Sequence, residues 1–209
     1  THYFASDDIY VQLDYLLLSP RLARANAQAL PRVVRRGQPF RVPRLESLPR
    51  GARVGTSSLR RAAQLRRLRP DVVVESIRGN LDTRLRKLDE GRYDAIVLAA
   101  AGLRRLGWAG RIAEILPTEV MCPAVAQGAL AIETTAAGAE AVAALDHPPS
   151  RAAVSAERAL LAALGGGCQV PVGAHAAVAG DGLRLLAVAA TPDGTELVRA
   201  EREGAVGEA

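Results

Sequence analysis

The chain has 209 residues, of which 49% are hydrophobic, 23% charged and only 3% aromatic, with a formal net charge of +5. These figures exclude a disordered chain and point to an aliphatic core built from Ala, Val and Leu. No run approaches the ~18 apolar residues of a membrane span, no secretory signal pattern is present, and two cysteines cannot staple a chain of this size, which argues for a reducing compartment.

In chain order, Val11 to Leu18 reads as a strand and Leu22 to Leu30 as a short helix ended by Pro31. Pro39 and Pro43 then break the chain, and RLESLPRGA reads as a linker and turn. From Arg53 the pattern turns regular. RVGTS is a short strand, and Ser57 or Ser58 caps a helix running to about Leu68. VVVESI (72–77) is a β-branched strand. Asn80 caps a helix whose Leu81, Leu85 and Leu88 share one face. YDAIVLAA (93–100) is a third strand, followed by a helix around Gly102 to Leu106. This alternation implies α/β architecture with a parallel or mixed sheet. PAVAQGALAIE (123–133) is a turn leading into another strand, and 139–145 and 150–164 are alanine-rich helices. After the glycine loop 165–171 come three strands joined by GDG and PDG turns, a small α+β unit with an antiparallel three-stranded sheet.

Charge follows the same division. Residues 1–44 carry +4, residues 45–134 carry +5 and residues 135–209 carry −4. Anion binding is therefore expected in the first unit. Lys87 is the sole lysine among 27 basic residues. Compositional bias accounts for most of the arginines, while planar, bidentate recognition of carboxylate or phosphate is the functional use of such residues. Nucleic acid is disfavoured, because zinc-finger spacing is absent and aromatics are too few for stacking platforms.

Three constellations carry candidate chemistry. Thr56-Ser57-Ser58-Leu59-Arg60-Arg61 sits at a strand-to-helix junction, where free N–H groups, hydroxyls and guanidiniums converge on one place. Read alone, it is also an ordinary serine cap with solvated arginines. Ile77-Arg78-Gly79-Asn80 with Arg84 opens the next helix in the same way, with the same bland alternative. Two such junctions in successive β-α units point to one anion cleft at the carboxyl ends of the strands. Cys168, on the loop Gly165-Gly166-Gly167-Cys168-Gln169-Val170-Pro171, is either an accessible thiol nucleophile or a small buried hydrophobe, or an occasional partner of Cys122. His2, His147 and His175 are scattered and neither cysteine has a CxxC neighbour, so no metal site is expected. Glu157 and Arg158 adjoin on a helix and read as a structural ion pair.

GTSSLRRAAQL, ESIRGNLDTRLRKLDEGRYDAIVLAAAGLRRLG, PAVAQGALAIE and AERALLAALGGGCQVPVGA, in that order across roughly residues 45–205, resemble hydroxymethylbilane synthase, also called porphobilinogen deaminase. The resemblance implies a transferase of tetrapyrrole (porphyrin and heme) biosynthesis. Such an enzyme joins four porphobilinogens into hydroxymethylbilane with release of ammonia. It implies a dipyrromethane cofactor bound through a thioether to Cys168. Cofactor contacts then fall on Thr56, Ser58, Arg60, Arg61, Arg78 and Arg84, and substrate carboxylates on Arg78, Arg84 and Arg105. Gln127 lies in the family's hinge-side segment. A cytoplasmic monomer binding porphobilinogen, with no membrane and no nucleic acid, is implied as well.

The sequence departs from the family pattern in front. About a hundred residues of the family's first lobe, with its acid/base aspartate, have no counterpart in 1–44, and Asp7, Asp8 and Asp14 lack the surrounding motif, so no catalytic residue is assigned. The expected organisation is an unmatched segment 1–44, an α/β lobe 45–126, a hinge and strand 127–135 returning to a missing lobe, and a shortened cofactor-bearing domain 136–209. The chain therefore reads as truncated at both ends and inactive as it stands, with a non-catalytic anion-binding remnant as the alternative function. THYFASDD and QLDYLLLSP resemble faintly an endonuclease/exonuclease/phosphatase-type protein, without its metal-binding or His-Asp motifs, with unrelated, foreign or misjoined sequence as the alternative.

Overall fold

A computed structural model describes residues 2–5, 14–18, 44–165 and 170–208. The short helix expected at 22–30 lies outside the described residues. Among the described residues ten strands form three sheets. The largest has the order β4-β3-β5-β2-β6, with β2 Asp14–Leu18, β3 Arg53–Gly55, β4 Val73–Glu75, β5 Ala95–Ala99 and β6 Glu114–Leu116. β4, β3 and β5 run parallel, whereas β2 is antiparallel to both β5 and β6. The sheet is therefore mixed. Of the strand expected at 11–18, the described residues 14–18 are strand and lie inside the sheet.

Period-two alternation explains how β5 sits at the centre. Ala95 and Val97 face Val54, Leu65, Val72 and Met121. Ile96 and Leu98 face Leu17, Ile77, Leu85, Leu88 and Leu103. Both faces are buried, as a strand covered by crossover helices requires. Those helices are α1 Leu59–Leu68, α2 Leu81–Asp89 and α3 Ala100–Arg105. Of the leucines expected on one face of α2, Leu85 and Leu88 are buried and Leu81 is half-buried against the same cluster. The stretch read as a linker is instead part of the core. Leu45 and Leu48 are each 4% exposed, and Arg69 donates to the carbonyls of Leu48 (2.7 Å) and Glu46 (3.1 Å) while bonding Asp71. Two leucines were signal enough for burial, but the neighbouring prolines and arginines masked it.

The second unit has the short α4 Ala139–Val142, α5 Pro148–Ala163, and a meander of β8 Val172–Ala179, β9 Gly182–Ala190 and β10 Leu197–Ala205. The meander has the order β10-β9-β8 and is antiparallel throughout. Its PDG turn docks on α1: Arg66 donates to Pro192 O at 2.6 Å, and a Cβ added to Gly194 would lie 2.6 Å from Ala63 O. That close approach needs glycine. β7 Leu130–Glu133, expected to lack its sheet, pairs antiparallel with β1 His2–Ala5, from Ala5↔Leu130 to His2↔Glu133. The pairing takes up strand-edge groups that would otherwise stand open. Among the described residues no helix is long and apolar enough to cross a membrane.

Candidate functional site

The parallel strands β4, β3 and β5 all end at one edge of the sheet, and each runs into a helix that carries arginines. At the first junction Ser58 caps α1, its Oγ accepting from Arg61 N at 3.4 Å, while Ser58 N donates to Thr56 Oγ1 at 3.3 Å. At the second, Asn80 caps α2 by accepting from Thr83 N at 2.9 Å. Gly79 has φ +119, where a side chain is strained and a Cβ would strike Thr83. Ser57 Oγ donates to Ile77 O at 2.6 Å and so ties the first loop to the second. This bond realises the adjacency that the repeated motif predicted. A cleft of about 130 Å³ lies between them, lined by Thr56, Ser57, Ser58, Arg66, Glu75 and Ser76, among others.

The predicted arginines divide by burial. Arg78 and Arg105 are exposed and Arg84 is half-buried. Arg84 Nε donates to Gly79 O at 2.8 Å, and Lys87 Nζ donates to Arg78 O at 2.9 Å, so both side chains brace the loop between strand and helix. Arg105 closes α3, the helix that follows β5. Arg61 is half-buried beside the first cap. Arg60 differs: it is 5% exposed, and its guanidinium donates to Cys122 O and, at 3.1 Å, to Gln127 Oε1. Charged hydrogen bonds to backbone satisfy a buried guanidinium. Arg60 thus grips the connector that leads out of the α/β unit, and the hinge-side Gln127 is its partner.

Two further residues hold the same connector, and sequence reasoning missed both. Gln64, 1% exposed, donates to Cys122 O at 3.1 Å and accepts from Cys122 N at 2.8 Å, pairing both backbone groups with one carboxamide. The available signal was a polar residue four after Arg60 on the apolar face of α1. Glu157 does not pair with the exposed Arg158. Its carboxylate accepts from Ala126 N at 2.6 Å and Ala176 N at 2.7 Å. Neighbours in sequence on a helix point in different directions, which is why the expected ion pair fails. Burial pushes the Glu157 carboxyl up to about 7, against the opposing pull of its two N–H donors. Cys122 is fully buried under Leu186 and Val188 of the meander. Cys168 lies outside the described residues, on the loop that joins α5 to β8.

Two family models match the chain. Residues 25–143 match one described as "Porphobilinogen deaminase, dipyromethane cofactor binding domain". The chain belongs to the porphobilinogen deaminase family. Residues 152–209 match the C-terminal domain of the same family. The first match begins at residue 25. Similar curated relatives include a porphobilinogen deaminase of Roseiflexus castenholzii, 58% identical over 163 residues, which are 77% of this chain and 54% of the relative. Another, from Desulforamulus reducens, is 51% identical over 169 residues, 79% of this chain and 55% of the relative. One from Desulforudis audaxviator is 58% identical over 164 residues, 77% of this chain and 53% of the relative. The chain spans about half the length of the curated relatives it matches. The mixed α/β unit followed by the antiparallel meander agrees with the family's domain architecture.

Proposed function

We propose that these residues are the primer-holding and carboxylate-binding part of a hydroxymethylbilane synthase, which polymerises four porphobilinogens into hydroxymethylbilane with release of ammonia. The observation that carries the reading is that successive strand-end junctions carry Arg61, Arg78 and Arg84 at one end of the parallel strands, with Arg105 at the far end of the helix that follows β5. Each porphobilinogen unit carries an acetate and a propionate, so a growing chain accumulates negative charge. Guanidiniums match carboxylates bidentately, and the caps at Ser58 and Asn80 place helix N-termini on the same side.

The donor set fits dipyrromethane, whose own acetate and propionate groups need the same cationic and hydroxylic partners. Thr56, Ser58, Arg61, Arg78 and Arg84 would hold those groups, with Arg60 fixing the connector behind them, and Cys168 would be the point of thioether attachment. The cofactor, when bound, supplies the nucleophilic pyrrole carbon on which elongation begins. These residues bind and orient it: the junction arginines neutralise carboxylates, and the Ser57–Ile77 bond keeps the first two loops in step. Proton transfer is assigned to none of them. A cytoplasmic, monomeric setting without nucleic acid belongs to the same proposal, supported by the scarcity of cysteine and aromatic residues.

The test is mass spectrometry of the purified chain after incubation with porphobilinogen. A two-pyrrole adduct, lost in Cys168→Ser, is expected. An adduct that persists in Cys168→Ser contradicts the assignment of Cys168.

A further inference from the structure

Among the described residues Glu157 is the one buried carboxylate, at 1% exposure. It accepts no side-chain donor; both oxygens take backbone N–H groups, and these belong to separate parts of the molecule. Ala176 lies on β8, the edge strand of the meander. Ala174 N, on the same side of that strand, donates to Pro123 O at 3.0 Å, so the connector and Glu157 together finish the open edge of β8. The other donor, Ala126, has φ +58, the one left-handed non-glycine residue described, a conformation that persists only when its surroundings impose it. Gln127 follows at once. Its N–H closes a turn on Ala124 O at 2.9 Å, and its Oε1 accepts from Arg60 Nη2 at 3.1 Å. A continuous path of hydrogen bonds therefore runs from α5 through the strained turn to the first junction.

We propose that Glu157 is a positioning residue: its carboxylate holds the 122–128 connector in the conformation that presents Gln127 to Arg60, and through it sets the guanidinium behind the carboxylate-binding junction. Two N–H donors require two acceptors. A carboxylate has them, whereas a carboxamide or a protonated carboxyl turns a donor toward one of the two. Burial leaves Glu157 changing charge close to neutrality. The groups around it leave that titration its own. On β8, burial lowers the pKa of His175, which faces Glu119 and Arg184. On β9, Arg184 is paired with Glu201 and Glu119. On α5 itself Arg158 is exposed, and Arg151 pairs with Asp146 at 2.8 Å. β1, which also packs on α5, carries His2, whose side chain lies outside the described residues. Arg60 stands on the far side of Gln127.

The inference rests on the proposed function only for the ligand of the junction; the clamp itself is tested without one. In the wild-type chain, NMR signals of the Ala126 and Ala176 amides and of the Gln127 side-chain amide should titrate together between about pH 5.5 and 8.5, with a shared midpoint near 7. Glu157→Gln should abolish all three titrations. It should also weaken porphobilinogen binding at pH 8 by about five-fold, the size of one displaced hydrogen bond, and have no such effect in an Arg60→Gln background. If Ala126 and Ala176 titrate while Gln127 stays flat, or if the titrations survive in Glu157→Gln, the positioning role is overturned. Should that variant fail to fold, the wild-type titration decides alone. Porphobilinogen binding with three flat signals would sink the clamp and leave the site reading intact. Three titrating signals with no porphobilinogen binding would do the reverse.

Discussion

Arg60 and Arg78 both follow parallel strands of one sheet, yet one is buried and the other exposed. Arg78 stands exposed at a loop that glycine and an asparagine cap have shaped. Arg60 is buried, and its guanidinium donates to Cys122 O and Gln127. The same contrast holds for the regions around them. The strand-end junctions keep polar groups at the surface in a fixed arrangement. The connector 122–128 consumes polar side chains (Arg60, Gln64, Glu157) to fix a backbone that has no ladder of its own. Residue type alone does not tell a ligand contact from a brace; burial and the partner do.

The largest effect that would test this division falls on the connector. Gln64→Ala removes partners from both backbone groups of buried Cys122, and should cost roughly 2–4 kcal/mol in urea unfolding. A loss below about 0.5 kcal/mol, the range of surface substitutions, would mean that the connector is held without it.

Glu157 gives a pH-dependent version. Its folded value, about 7, lies above its unfolded value near 4.5, so the stability it contributes is complete below about pH 4.5 and is lost as pH rises through 7. Wild type relative to Glu157→Gln should therefore lose up to about 3 kcal/mol over that window. A pH-independent difference in unfolding free energy would show that the carboxyl is not shifted.

Much of the first region was legible in the sequence. Ser58 and Asn80 cap helices as their hydroxyl and amide chemistry predicts, and β3, β4 and β5 fall within the runs read as strands. Local signals suffice there, because caps and strand periodicity involve residues a few positions apart. The connector was not legible. Gln64 meets Cys122 58 residues away, and Glu157 meets Ala126 31 residues away. Neither pairing leaves a local pattern, and the adjacency of Glu157 and Arg158 suggested a bond that helix geometry does not make. The pairing of β1 with β7 was hidden for the same reason, since it joins residues 2–5 to residues 130–133.

At the small end, Arg86 and Glu90 form an exposed i,i+4 pair on α2 at 3.8 Å, away from both regions. Arg86→Ala should change stability by less than about 0.5 kcal/mol and leave porphobilinogen binding unaltered. A larger effect on binding would extend the site beyond the strand ends.

The central claim is that the exposed junction arginines are anion contacts rather than braces. Calorimetric titration of porphobilinogen into the wild-type chain and into Arg78→Ala tests it most directly. The account predicts binding weakened about ten-fold or more, with unfolding free energy unchanged within about 0.5 kcal/mol. Equal affinity in the two proteins, or a variant that loses stability as Gln64→Ala should, would contradict it.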